Sequence, residues 1–243
     1  MINSNNYHCG RFGNLFFTGV ALHFIAKTND LQCRYKEYDA FVQLGFTFYS
    51  GSKVYNETIP LTDDNFFSLL ETPIYKNISI RNNVWCQTKE FAFYIEKYIN
   101  EPTQKQLIIH ANPFSQRYGN NNDICIHVRL GDIVSREFNQ PFEYYDGILK
   151  HISFENGYIC SDSIDHDICT RLINKYKLQI ISYDIVPTIQ FASTCKYIIL
   201  SSGTFSWMIG ALSFLSESIY YPSIKKKWHG DIFVNPTWKE IKY

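Results

Sequence analysis

Residues 125–134 read CIHVRLGDIV. A short apolar strand, ICIHV, runs directly into His127, Arg129, Gly131 and Asp132. An arginine where a buried strand ends needs an anion close by, because an unpaired buried charge is costly. Two arrangements meet that need. Arg129 pairs with the neighbouring Asp132, or its planar fork holds an anionic ligand such as a diphosphate.

Downstream, the pattern around this strand repeats. NGYICS, LQIISYD, KYIILSS and SIYYP read as further strands, with SIYYP the last of them. Between them, QPFEYYDGILKHI, SIDHDICTRLINKY, PTIQFASTC and TFSWMIGALSFLS read as helices, the first with a proline near its opening turn. Short apolar strands alternating with helices predict a parallel sheet covered on both faces. Ligands of such sheets bind beyond the carboxyl ends of the strands. Three polar clusters fall at those ends: His127–Asp132, Ser161–Asp162–Ser163 and Ser201–Ser206. Helix capping is the alternative use for such residues. In SSGTFSW, hydroxyls and a glycine precede a buried helix, whose free N–H groups and dipole suit phosphate oxygens. A cap from Ser202 or Thr204 is compatible with that use.

Upstream, CGRFGN is a glycine turn before a helix expected over Asn14–Thr28. LQCRYKEYD and FVQLGFTFYS are expected strands, TKEFAFYIEKYIN a helix and QLIIHA a short strand. Asp63-Asp64 reads as a helix cap. NPFSQRYGNNND gathers Pro, Gly, Ser, Asn and Asp, the chemistry of a linking loop. It divides the chain into halves 1–121 and 122–243.

The 243 residues carry 23 Lys+Arg against 23 Asp+Glu. Zero net charge argues against a nucleic-acid partner bound through a broad basic surface. The seven cysteines are odd in number and scattered, with no CxxC pair, which predicts buried free thiols in a reducing compartment. There is no metal-ligand spacing, no HExxH and no GxxxxGK[ST], so no metal and no P-loop nucleotide site are inferred. No stretch reaches the roughly 20 apolar residues of a membrane span, and MINSNNYHCGRFGN lacks the basic and apolar regions of a signal peptide. A soluble cytoplasmic protein is expected. The sequons at Asn56 and Asn77 are then chance matches.

HVRLGD resembles the arginine motif of the fucosyltransferase superfamily, closest to the α-1,2-fucosyltransferase family. The order of the other signals is similar. Gly10, Gly13 and Asn14 stand in the family's N-terminal glycine–asparagine turn, and PFEYY, with Tyr144 and Tyr145, in its Pro-x-x-Tyr-Tyr helix. CSDS keeps Asp162 of a Phe-Ser-Asp-Asp strand end but has Ser163 for the second aspartate. CKYIILSSGTFSWMIGALS resembles the late Ser-Phe-Ser-Trp-Trp-Gly segment, with Ser206 and Trp207 kept, Met208 for the second tryptophan, and Gly210 one place late. The likeness is dense over residues 125–215 and sparse elsewhere.

The resemblance implies a GT-B-like fold, two Rossmann-like domains with parallel sheets facing a cleft. The N-terminal half would serve mainly the acceptor and the C-terminal half the donor. It implies metal-independent, inverting transfer of L-fucose from GDP-fucose to a glycan hydroxyl, with no cofactor. Arg129 would hold the diphosphate, His127 would lie near the guanine or its ribose, and Ser202, Thr204 or Ser206 would meet phosphate oxygens. Gly10, Gly13, Asn14 and Asp162 complete the donor side. For the catalytic base, related α-1,6-fucosyltransferases carry a glutamate ten residues after the motif histidine. Glu137 has that offset here, and Asp132 is the other nearby carboxylate. Thr188 stands where related enzymes have an acidic residue that reads guanine, with Asp184 the nearest acid. That leaves two alternatives open: a relative using another nucleotide-sugar donor, and a non-catalytic nucleotide- or carbohydrate-binding protein.

Overall fold

A computed structural model describes residues 10–81, 83–223 and 230–243. In the first half, α1 (Phe12–Asn29) is followed by α2 (Tyr38–Gln43), β1 (Thr58–Leu61), α3 (Phe66–Glu71), β2 (Asn77–Ile80), α4 (Lys89–Ile99) and α5 (Pro102–Ala111). The second half runs β3 (Ile124–Val128), α6 (Phe142–Leu149), β4 (Gly157–Ser161), α7 (Asp167–Tyr176), β5 (Gln179–Ile180), α8 (Ile185–Ala192), β6 (Tyr197–Ile199), α9 (Thr204–Ala211), β7 (Ser218–Pro222) and β8 (Lys239–Ile241).

The expected α/β character holds. β1 and β2 form a small parallel sheet, and the six later strands form one parallel sheet in the order β5-β4-β3-β6-β7-β8. Counted from β3, this is the Rossmann order 3-2-1-4-5-6, and it reverses between β3 and β6. Chains leaving two neighbouring strands in opposite directions open a crevice at that switch point. The apolar run of β3 is buried along its whole length, as a central parallel strand must be.

Helices cover both faces. On one, Tyr144, Tyr145, Ile148 and Leu149 of α6 and Cys169 and Leu172 of α7 pack on Ile124, Ile126 and Ile159. On the other, α8 and α9 join the N-terminal helices in one core, where Phe16, Phe17, Phe41 and Phe91 share a cluster with Ile189, Ile198 and Trp207. The Trp207 ring is 4.8 Å from Phe17 and 6.4 Å from Phe16, edge-on to the first. The loop near residue 121 therefore divides the two sheets but not the hydrophobic core.

Several local expectations are corrected. QLIIHA is the end of α5, which Pro102 opens at its first turn; of its apolar trio Ile108 is buried, Ile109 partly so and Leu107 exposed, the gradation of a helix face. FVQLGFTFYS forms no strand. It completes α2 and then turns at Gly45, whose φ of 86° ends the helix and sends Phe46 and Phe48 into the core. LQCRYKEYD contributes only the isolated bridge Leu31–Lys53, and LQIISYD pairs over just two residues. SIYYP is not the last strand, because β8 adds an edge beyond it. The cap of α3 is Asn65, while Asp63 accepts a hydrogen bond from the Cys86 N–H at 2.7 Å. Asn77 is buried, its amide bonded to both backbone groups of Tyr55, so its sequon is closed to a glycan. The six described cysteines are buried free thiols; Cys9 lies outside the described residues.

Glu96 is buried on α4, and burial pushes its carboxyl up to about 7 despite a hydrogen bond from Asn235. A folded-state pKa above the unfolded one gives stability at low pH that is lost as pH rises from about 4.5 through about 7. Glu96→Gln should therefore melt higher than wild type at pH 8, by up to about 3 kcal/mol of stability, at about 1.4 kcal/mol per unit. At about pH 4, below both values, the two should melt together. Equal curves at pH 8 would show that the buried carboxylate is compensated elsewhere.

Candidate functional site

The carboxyl ends of β3, β4 and β6 open onto a cavity of about 860 Å³. Its floor is the switch point, and the first turn of α1 forms the opposite wall. Gly10, Gly13, Asn14, His127, Arg129, Asp132, Asp162, Ser202 and Thr204 all line it. The sequence had placed these residues in four separate segments.

Strand register explains the centre. Val128 pairs with Ser161, so the next residues on each strand, Arg129 and Asp162, meet side by side. Asp162 also accepts the Leu130 N–H at 2.9 Å, and the turn at Gly131 bends at φ 43° over its carboxylate. A Cβ at Gly131 would lie 2.6 Å from Asp162 Oδ2, so only glycine fits there. Arg129 is only 8% exposed and pairs with Asp132 as well. Burial and the nearby Arg11 pull its pKa down, against the pull of Asp132 upward.

Arg11 is a cavity residue that sequence reasoning missed, although it lies inside the CGRFGN turn. Its guanidinium donates to Asp132 at 2.7 Å and to Asp162 at 2.8 Å. Two guanidinium groups, from opposite halves of the chain, thus share two carboxylates. Burial alone would raise the Asp132 pKa, but Arg129 and Arg11 outweigh it and hold the carboxyl below its usual range.

The turn after β6 is held from several sides. Tyr144 donates to the Leu200 carbonyl at 2.7 Å, and Gln140 Oε1 accepts from Ser201 Oγ and the Ser202 N–H. Ser206 is fully buried and outside the cavity lining. Its Oγ accepts the Ser201 N–H at 3.0 Å and sits 2.5 Å from His127 Nδ1. The Ser206 hydroxyl, with one donor and two acceptor sites, can meet Nδ1 in either direction while it accepts the Ser201 N–H. Burial, then the charge of Arg129, lowers the His127 pKa to about 3, so the ring is neutral.

Gly203, at φ 96°, leads into α9 without any side-chain cap. Thr204 Oγ1 donates to Asn14 Oδ1 at 2.9 Å, and Asn14 also accepts from Gln87. Ser202 Oγ is buried and has no hydrogen-bond partner among the described residues. The first turn of α9 and Ser202 line the same cavity as the two arginines.

Ile181, Tyr183, Ile185 and Thr188 make a mostly apolar side wall. Thr188 Oγ1 is spent on the Tyr183 carbonyl, and Asp184 stands at the N-cap position of α8, with no side-chain cap bond and outside the lining. Lys36 and Glu37 complete the N-terminal wall. Glu137 ends the short 3-10 segment after the arginine motif, exposed and at φ 58°, and does not line the cavity.

Among the described residues, no cluster of three or more His, Cys, Asp or Glu side chains could hold a metal ion, and no helix is long and apolar enough to cross a membrane. Fold and cavity define a class: a doubly wound α/β protein whose switch-point cavity presents two guanidinium groups and a helix N-terminus. No protein-family model matches the chain, and no curated protein is significantly similar to it.

Proposed function

We propose that this chain is an inverting, metal-independent glycosyltransferase that moves L-fucose from GDP-fucose to a glycan hydroxyl. One observation carries the reading: Arg11, Arg129 and the N-terminus of α9 line one cavity at the sheet's switch point. Two neighbouring guanidinium groups repel each other unless anions sit between them. A sugar-nucleotide diphosphate carries two charges, as many as the two carboxylates together, and offers oxygens to both forks. As the sugar–phosphate bond breaks, negative charge grows on the leaving diphosphate. Fixed cations and helix N–H groups stabilise that charge without reorganising, the task a divalent ion performs elsewhere.

The other walls suit the rest of the donor and the acceptor. Ile181, Tyr183 and Ile185 offer an apolar surface for a base, and His127 adds a neutral ring to the lining. Ser202 is the hydroxyl left for phosphate, since Thr204 and Ser206 are committed to Asn14 and His127. On this reading the N-terminal half serves the glycan acceptor across the cleft, in a GT-B-like arrangement. Six buried, unpaired thiols favour work in the reducing cytoplasm. The resemblance of HVRLGD and its companion segments to α-1,2-fucosyltransferases selects fucose and guanine.

A melting-temperature panel of nucleotides and nucleotide sugars tests this. A donor at about 100 times its Kd adds roughly 2.7 kcal/mol, about 5–10 °C for a chain of this size. GDP and GDP-fucose should give the largest shifts, and transfer should persist in EDTA. A panel with no shift rejects the nucleotide site. Activity abolished by EDTA and restored by Mg²⁺ or Mn²⁺ rejects metal independence.

A further inference from the structure

From the cavity walls we infer that Glu37 is the general base of the transfer, an inference that rests on the glycosyltransferase reading. Glu37, Asp132 and Asp162 are the carboxylates among the described residues that line the cavity. Asp132 and Asp162 each pair with both Arg11 and Arg129, and Asp162 also accepts the Leu130 N–H. Lone pairs held by guanidinium cations are poor proton acceptors. His127 cannot serve either. Its ring is buried with Nδ1 engaged by Ser206, and burial beside Arg129 opposes any added positive charge on it. Glu137 lies outside the lining.

Glu37 differs in each respect. It belongs to the N-terminal wall, facing the anion-binding elements of the C-terminal half across the cavity. Among the described residues its carboxylate has no ion pair and caps no helix N–H. Its backbone is left-handed, φ 57° and ψ 29°, at the entry to α2. Four other described non-glycine residues share that conformation, Glu137 among them, so it is the place in the wall and the unpaired carboxylate that single out Glu37.

The step balances. The Glu37 carboxylate takes the acceptor's O–H proton as that oxygen bonds to the sugar's anomeric carbon. The carbon–oxygen bond to the β-phosphate breaks, and its electron pair leaves with the diphosphate held by Arg11 and Arg129. The protonated carboxyl then returns its proton to solvent. Water can replace the glycan hydroxyl, giving slow donor hydrolysis through the same base.

Release of GDP from GDP-fucose is therefore the readout, with donor Kd and melting temperature measured beside it. Glu37→Gln should lower release by roughly 10²–10⁴-fold while leaving the Kd for GDP-fucose within about twofold, because a base acts in the transition state. Glu37→Gly should lose as much turnover yet melt no lower than wild type, since glycine adopts the left-handed backbone without strain. A Gln variant with near wild-type release overturns the role of Glu37 and leaves the transferase reading intact. Lower melting and weakened donor binding in both variants also overturn it, by showing a structural role. A wild-type protein that binds GDP-fucose but releases no GDP overturns the transferase reading, and the role of Glu37 with it.

Discussion

Arg129→Lys should cut turnover by at least roughly 10–100-fold, at about 1.4 kcal/mol of transition-state stabilisation per tenfold, although the formal charge is kept. The guanidinium is buried, and its two terminal nitrogens face different carboxylates, Asp162 from Nη1 and Asp132 from Nη2. A lysine offers one compact ammonium and can satisfy only one of these directions. It is also more easily neutralised. Burial and the Arg11 charge already depress the pKa of Arg129, and the same forces on a lysine would favour its uncharged form. A diphosphate would then lose both a two-pronged contact and part of the positive charge opposing it. Steady-state kinetics on a variant shown to be folded by its melting curve make the check. Wild-type turnover in that variant would remove Arg129 from the phosphate site.

Gly13→Ala should destabilise the protein by about 1–3 kcal/mol, or about 3–10 °C, and weaken donor binding with it. The sign is opposite to the usual one, because alanine inside a helix normally gains about 1 kcal/mol over glycine. Here a Cβ would stand 2.5 Å from Thr204 Oγ1, 2.7 Å from the Thr204 carbonyl carbon and 2.8 Å from the Phe205 nitrogen. Two of these atoms are backbone and cannot rotate away. The first turn of α1 would have to lift off α9, stretching the Asn14–Thr204 bond and shifting the N–H groups proposed to hold phosphate. Gly147→Ala is the internal contrast. It lies in α6 with open space around a new Cβ, so it should be neutral or stabilising by up to about 1 kcal/mol. If both variants melt alike, the close approach of α1 and α9 does not matter to stability.

The C-terminal half was the more legible one. Its strands are short, apolar and punctuated by turns, and a buried parallel strand leaves just that trace. Residues 38–48 and 102–111 misled because their apolar residues pack on neighbours out of register with any simple period: Phe46 and Phe48 enter the core from an irregular segment, and Gly45 is pressed against the backbone of Ile108. β8 escaped notice because KEI is an exposed edge with no apolar pattern. Arg11, Glu37 and Tyr183 escaped as cavity residues because nothing local distinguishes them from surface side chains.

Taken alone, the order of residues determined that strands and helices alternate after residue 122 and that polar clusters end the strands. It also determined that Arg129 would need an anion. Those are local consequences of side-chain period, turn chemistry and the cost of burying charge. Which strands are neighbours, and hence that the sheet reverses between β3 and β6, was decided only in three dimensions. So was the packing of α1 on α9, which joins Asn14 to Thr204 across 190 residues of chain and sets Arg11 beside Arg129. Such contacts arise from the fit of Gly13 against the α9 backbone and of Phe16 and Phe17 around Trp207. Shape complementarity between distant segments leaves no period in either one, so the folded chain alone reveals it.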